Sequence, residues 1–288
     1  MLITVEETRQ KITEGKFLFL AGEESLLQQL PKGQWIGGTI PYFMTEEKGG
    51  LYSNTHIFVH EAPNMITEIN IISYNRDNIQ RIPTDAPENG FSLMIIPALS
   101  PAHFEYAKNA PNFKGIFFKP IIGWIAGVHL EQLGQITPKV FDGESGQLME
   151  KDAIVMHLSL PTDKMAEIKT LNIFEQGDGD DITFDIEGFN VEDCYINGEK
   201  QNFALYLSER KIGKDLPLVA DYYGTRVNVS ILNIDDKNNL IQFAAPIFKH
   251  VTYRFAAPIP DYEAKFSQII PKGIVTPVFT CNCLYNYT

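Results

Sequence analysis

Phe17-Leu18-Phe19-Leu20, then a polar stretch from Glu23 to Leu30, then Gln34-Trp35-Ile36-Gly37-Gly38-Thr39-Ile40, form one order of segments. Ser92-Leu93-Met94-Ile95-Ile96, a stretch opened by Ser100-Pro101, and Ile121-Ile122-Gly123-Trp124-Ile125-Ala126-Gly127 repeat that order. Short apolar runs bounded by Gly and Pro read as buried strands. Between them, Pro31 stops the first helix, while Ser100 caps the second and Pro101 takes its first position, extending it to about Ala110. Strand, helix and a Gly/Trp-bearing strand occur twice, with Trp35 and Trp124 in comparable places, which predicts an internal duplication. Ile116-Phe117-Phe118 reads as part of the second copy's buried apolar stretch.

Working outward, Thr4-Val5-Glu6-Glu7 is a capping box that opens a helix to about Gly15. His56 to Val59 and Ile66 to Tyr74 are strands around the Pro63-Asn64 turn. Lys139 to Phe141 and Ala153 to Leu158 flank the hairpin signal Asp142-Gly143-Glu144-Ser145-Gly146. Pro161 to Lys169 marks a boundary. Beyond it come short β-rich runs, with helical pattern near 202–208 and 261–269 and a last strand from Thr276 to Cys281. The expected class is α+β: two lobes of mixed, mainly antiparallel sheet with few flanking helices, spanning 1–160 and 161–288.

The 288 residues are 44% hydrophobic with 19 Phe, enough for a packed core. Lys and Arg number 24 against 36 Asp and Glu, a net charge of −12, which argues against nucleic acid and anionic membrane surfaces as partners. Three Cys make no disulfide framework and fit a reducing, cytoplasmic setting. The amino-terminal residues lack a signal-peptide pattern. The apolar stretch 115–128 carries Lys119 and Pro120 and is shorter than the roughly 20 residues a spanning helix needs.

Candidate site residues each have two readings. Gly37, Gly38 and Gly123, beside Trp124, either let a ligand approach the backbone or permit close strand packing. Asp221, Tyr222 and Arg226, within Asp221-Tyr222-Tyr223-Gly224-Thr225-Arg226, either clamp an amino-acid zwitterion or form an internal Asp221–Arg226 pair. Cys281, with Cys283 two residues on, is either an inert thiol or a nucleophile needing a base such as His157 or His250. His56 and His60 share a strand face, and His103 and His129 are further metal candidates, but no ligand spacing is complete. The Asp178-Gly179-Asp180-Asp181 run fails the EF-hand pattern and reads as a solvated hairpin. Lys119 reads as a snorkelling strand-end amine. No cofactor is identified by any motif.

At Trp35 to Thr39, Pro120 to Gly127, Val140-Phe141-Asp142-Gly143, Asp152 to Val155 and Val278-Phe279-Thr280-Cys281, the chain resembles the FIST family of bacterial sensory domains. Asn282-Cys283-Leu284 departs from the Arg and Gly that follow the Cys in that family. The resemblance implies an N-terminal and a C-terminal module that bind small ligands, amino acids among them, and links some members to haem and nitric oxide. The resulting expectation is a non-enzymatic, ligand-binding signal-transduction module that acts through a separate signalling protein. The alternatives are a Cys-dependent hydrolase or transferase and a ligand-free interaction scaffold.

Overall fold

The computed structural model describes residues 1–45, 48–132, 134–222, 225–235, 237–270 and 277–284. The chain divides into two compact units, Met1–Ile168 with Thr276–Thr288, and Lys169–Val275. The class is α+β, with mainly antiparallel sheets and few helices.

In the first unit the elements run β1 (Leu2–Ile3), α1 (Val5–Thr13), β2 (Leu18–Gly22), α2 (Glu24–Leu27), β3 (Trp35–Thr39), β4 (Tyr42–Thr45), β5 (Gly49–Tyr52) and β6 (Ile57–Glu61). Then follow β7 (Glu68–Tyr74), α3 (Ile82–Asp85), β8 (Gly90–Pro97), α4 (Pro101–Asn109), β9 (Ile121–Ala126), β10 (Val140–Asp142), β11 (Gln147–Met149) and β12 (Ala153–Ser159). The second series repeats the strand, helix, strand, helix, strand opening of the first and adds 3-10 turns of its own. One sheet has the order β1-β6-β2-β3-β10-β11 and the other β7-β12-β8-β9. In each, the strand pair joined by a helix, β2 with β3 and β8 with β9, is parallel. The capping box at Thr4 and Glu7 and the Ser100 cap with Pro101 behind it start α1 and α4 as expected.

The two sheets face each other. Phe19, Ile36, Leu93, Ile95, Ala126, Val140, Ile154 and Met156 fill the space between them. Ile12 and Leu27 of α1 and α2 pack with Leu18, Leu20 and Trp35 on the outside of the first sheet. Ile82 and Ala102 of α3 and α4 pack with Met94, Ile96 and Val155 on the outside of the second. The layers are therefore helix, sheet, sheet, helix, and β2 and β3, covered on both faces, are buried at every residue.

Gly38 sets how close the sheets lie: a Cβ there would stand 2.5 Å from Ile95 Cγ2 and 3.3 Å from the Ala126 Cβ. A Cβ at Gly123 would fall on the Met94 carbonyl of the neighbouring strand, and one at Gly37 would press on the Trp35 ring at 3.1 Å. The close-packing reading thus accounts for all three glycines.

The equivalence of the two Trp residues needs correction. Trp35 pairs with Leu18 and faces the helices, whereas Trp124 pairs with Ile95 and faces the other sheet. Side chains alternate along a strand, so a one-residue offset between the copies puts the two rings on opposite faces. Residues 116–118 are a 3-10 turn rather than strand, with Phe117 81% and Phe118 87% exposed. Gly115 enters the turn in the left-handed region at φ +87°, and Pro120 ends it before β9.

The second unit holds β13 (Ile182–Thr183), β14 (Gly188–Val191), β15 (Asp193–Ile196), β16 (Glu199–Asn202), α5 (Phe203–Arg210), β17 (Leu218–Tyr222), β18 (Thr225–Val229), β19 (Ile231–Asp235), β20 (Leu240–Ile247), β21 (Tyr253–Phe255) and α6 (Tyr262–Ile269). Its sheets, β16-β15-β13-β21-β17-β18 and β14-β20-β19, enclose Phe184, Phe203, Phe243 and Tyr253. Asn202 and Asp261 cap α5 and α6. The C-terminal segment, expected as a strand of the second lobe, belongs to the first unit, and its described part, 277–284, joins no strand ladder. Phe279 holds it there by edge-on ring contacts with Phe19 (5.3 Å) and His60 (5.2 Å), and Pro277 has no N–H to give a ladder.

Gly38→Val should lower the stability of the fold by about 1–3 kcal/mol through overpacking. Adding Ile95→Ala should recover part of that loss, as measured by chemical denaturation of the two variants.

Candidate functional site

The first unit's parallel strands β2 and β3 end side by side at Gly22 and Thr39. In open α/β arrangements, ligands bind beyond the carboxyl ends of such strands, where the chain turns away. A depression of about 240 Å³ lies there, lined by Glu23, Gln28, Thr39, Val128, Gln132 and Thr137 among others. It draws on both halves of the duplication: Glu23 and Thr39 come from the first, and Val128 to Thr137 from the connection between β9 and β10.

Glu23 precedes α2 in an extended conformation and makes no capping hydrogen bond. Burial pushes its carboxyl above the ordinary value, with nearby His129 opposing the shift, and no hydrogen bond or ion pair engages it among the described residues. Its neighbour Glu24 is committed instead, to Lys139 at 2.6 Å. Thr39 is committed as well: its hydroxyl accepts from the Lys139 N–H at 2.9 Å. His129 packs against Tyr42 and Tyr52, with ring centroids 5.7 and 5.3 Å away. The depression therefore offers an incoming donor one carboxyl that has no hydrogen bond or ion pair among the described residues.

A second polar cluster lies under α3. Ser92 Oγ is 2.8 Å from His157 Nδ1, His157 Nε2 is 2.9 Å from Tyr74 Oη, and Tyr74 donates to Asp85 at 3.1 Å. Arg81 pairs with Asp85 at 3.2 Å. Because Tyr74's single proton goes to Asp85, His157 donates from Nε2 and accepts the Ser92 proton at Nδ1. A Ser–His pair is the opening of a nucleophilic triad. Here Ser92 has 0% exposure, so its hydroxyl is out of a substrate's reach in this fold. Burial lowers His157 to about 4, and His103, also buried, to about 4. The cluster satisfies polar atoms under α3 and ties β7, β8 and β12 to that helix.

The expected site residues are divided between the two units. Gly37, Gly38, Gly123 and Trp124 lie in the first unit, Gly38 facing Trp124 across the sheet interface, where the Trp124 Nε1–H has no partner among the described residues. Asp221 stands opposite Arg226 in the β17–β18 ladder. Arg226 pairs with Glu175 at 3.3 Å and donates to the Phe174 carbonyl. Tyr222 Oη is 2.7 Å from Tyr253 Oη, and burial, then that bond, raises its phenol. Cys281 and Cys283 are free and exposed as residues, yet burial of the Cys281 sulfur, with Cys283 beside it, raises that thiol. Cys194 is buried and pushed up to about 12 by desolvation.

Tyr223, Gly224 and Thr276 lie outside the described residues. Asp180 and Asp181 of the acidic run are engaged, Asp181 with Arg254 at 2.6 Å and Asp180 with Asn197 and Tyr206. Lys119 donates to the Pro87 carbonyl at 2.7 Å. Among the described residues, no group of three or more His, Cys, Asp or Glu could hold a metal ion, and no helix is long and apolar enough to cross a membrane.

Sequence reading did not single out Glu23 as a candidate. Its signal was an acidic residue directly after a buried strand and before a helix, at Ala21-Gly22-Glu23.

Residues 3–288 match a family of unknown function (DUF6976), and the chain belongs to that family. No curated protein and no solved structure matches it.

The buried imidazole makes acid stability testable. His157 is held near 4 when folded against an ordinary 6.5, so its contribution is complete above 6.5 and is lost as pH falls from there to about 4. That loss is on the order of 3 kcal/mol, and His103 adds to it over the same range. His157→Gln should flatten the fall in melting temperature between those pH values while lowering stability at neutral pH.

Proposed function

We propose that the chain is a non-enzymatic small-ligand-binding module whose site is the depression at the carboxyl ends of β2 and β3. The ligand carries an amine, free amino acids being the first class to test. Glu23 receives the ammonium group. One observation carries this reading: a half-buried carboxyl without a hydrogen bond or ion pair among the described residues, at the rim of the depression. The volume of about 240 Å³, below the roughly 300–1,000 Å³ of pockets for drug-sized ligands, limits the ligand to one about the size of an amino acid, and the net charge of −12 favours a cationic group over a lone carboxylate. The resemblance to FIST sensory domains points the same way, towards a sensory role with output through a separate signalling protein. Three thiols with no disulfide fit a reducing, cytoplasmic setting. The Cys-dependent alternative draws less support, because a thiol raised by burial is a weaker nucleophile at neutral pH.

The test is a thermal-shift and calorimetric screen of amino acids, simple amines and small carboxylates against the wild type and Glu23→Gln. An amine-bearing ligand should raise the melting temperature of the wild type by mass action. Glu23→Gln should weaken its binding by about tenfold or more, as loss of a charge-assisted hydrogen bond does. The apo variant should be as stable as the wild type or more so at neutral pH. The folded state holds the Glu23 proton more tightly than the unfolded chain, so its ionisation works against the fold as pH rises. Equal binding to both proteins, or equal binding of carboxylates without an amine, would refute the assignment.

A further inference from the structure

The duplication leaves the two sheets with unequal edges. On the first sheet, β10 lies antiparallel along β3, pairing Val140 with Gly38 and Phe141 with Gly37. β9 is the counterpart of β3, and its only ladder among the described residues is with β8. The Ser92 N–H reaches the Pro120 carbonyl at 2.9 Å and the Ala98 N–H the Ala126 carbonyl at 2.9 Å. Peptide groups alternate in direction along a strand, so those of Ile122 and Trp124 also face β8, and those of Ile121, Gly123 and Ile125 face away. An apolar strand with a row of open peptide groups is a template for another strand.

What lies beside that edge is identifiable. Trp124 of β9 packs edge-on against Phe19 of β2 at 4.5 Å, so β9 lies over β2. The next strand of the first sheet after β2 is β6, and among the described residues the second sheet ends at β9 with no further strand to lie opposite β6. Phe279 of the C-terminal segment contacts Phe19 of β2 and His60 of β6 in that place. Asn282 anchors the same segment by donating to Met44 Sδ at 3.1 Å.

The sequence repeats as well. Thr137-Pro138-Lys139-Val140-Phe141 leads into β10, and Thr276-Pro277-Val278-Phe279 leads into the C-terminal segment. Trp35 of β3 stacks on Phe141 of β10 outside the first sheet, and Trp124 of β9 shares the inter-sheet core with Phe279. Both members of the second Trp and Phe pair have changed face together, as one residue of offset requires.

We infer that the free edge of β9 is a strand-docking site whose occupant is this chain's own segment 277–281, the counterpart of β10. Phe279 anchors the segment through its side chain, and Val278, 56% exposed, lies on the outward side. Docking pairs the segment's backbone with Ile121, Gly123 and Ile125 by strand addition. The proposal does not depend on the Glu23 site.

Amide hydrogen exchange on the full chain tests it. The amides of Ile121, Gly123 and Ile125 should be protected in the wild type although β8 gives them no partner. Phe279→Ala should speed their exchange by about tenfold or more, while the amides of Ile122 and Trp124, bonded to β8, change little. Val278→Pro removes a backbone donor without touching the buried ring, and it should give the same alternating pattern if Phe279→Ala loosens the whole unit. Fast exchange at the three outward amides of the wild type would overturn the inference. So would protection that survives both substitutions, or that depends on protein concentration, which would assign the edge to a second copy.

Discussion

The contact of Gly38 with Ile95 and Ala126 across the facing sheets is the constraint from which the first unit's architecture follows. With no Cβ at that point, the inner faces approach closely enough for Phe19, Ile36, Ile154 and Met156 to interdigitate. The outer faces are then left for the helices, one pair on each sheet. Trp35 obeys the same economy of space on the outer face, where Gly37 lies below its ring and a Cβ at Gly143 would enter it.

Burying two sheets between two helix layers leaves few places for polar groups, and the structure uses them consistently. Ser92, His157, Tyr74 and Asp85 form a directed hydrogen-bond chain in which each buried atom finds a partner. Glu23 is different, a carboxyl partly out of water whose strongest influence is desolvation. A buried polar group without a partner costs the fold stability, and such costs concentrate where a ligand repays them. That contrast separates the structural cluster from the proposed site.

Much of the fold was legible in the sequence because local rules agreed with one another. Thr4 and Glu7, and Ser100 with Pro101, mark helix starts by hydrogen-bonding chemistry that acts within a few residues. The duplication was visible because strands covered on both faces read as unbroken apolar runs. The face of each Trp was not visible, since a one-residue offset changes nothing in composition and everything in direction. Phe117 and Phe118 misled for a related reason: an apolar pair reads as buried until Gly115 turns the chain outward. The candidate site was the least legible part, because Glu23, Thr39 and Thr137 meet only once β2, β3 and the β9–β10 connection are in place.

Central to this account is that the two sheets are one cooperative body, interlocked by β10 crossing from the second half of the duplication onto the first. Native-state hydrogen exchange as a function of denaturant measures that directly. The amides of β2 and β3 and those of β8 and β12 should converge on a single opening free energy with the same denaturant dependence. Two separate free energies, with one sheet exchanging while the other stays closed, would contradict the account and make each half an independent folding unit.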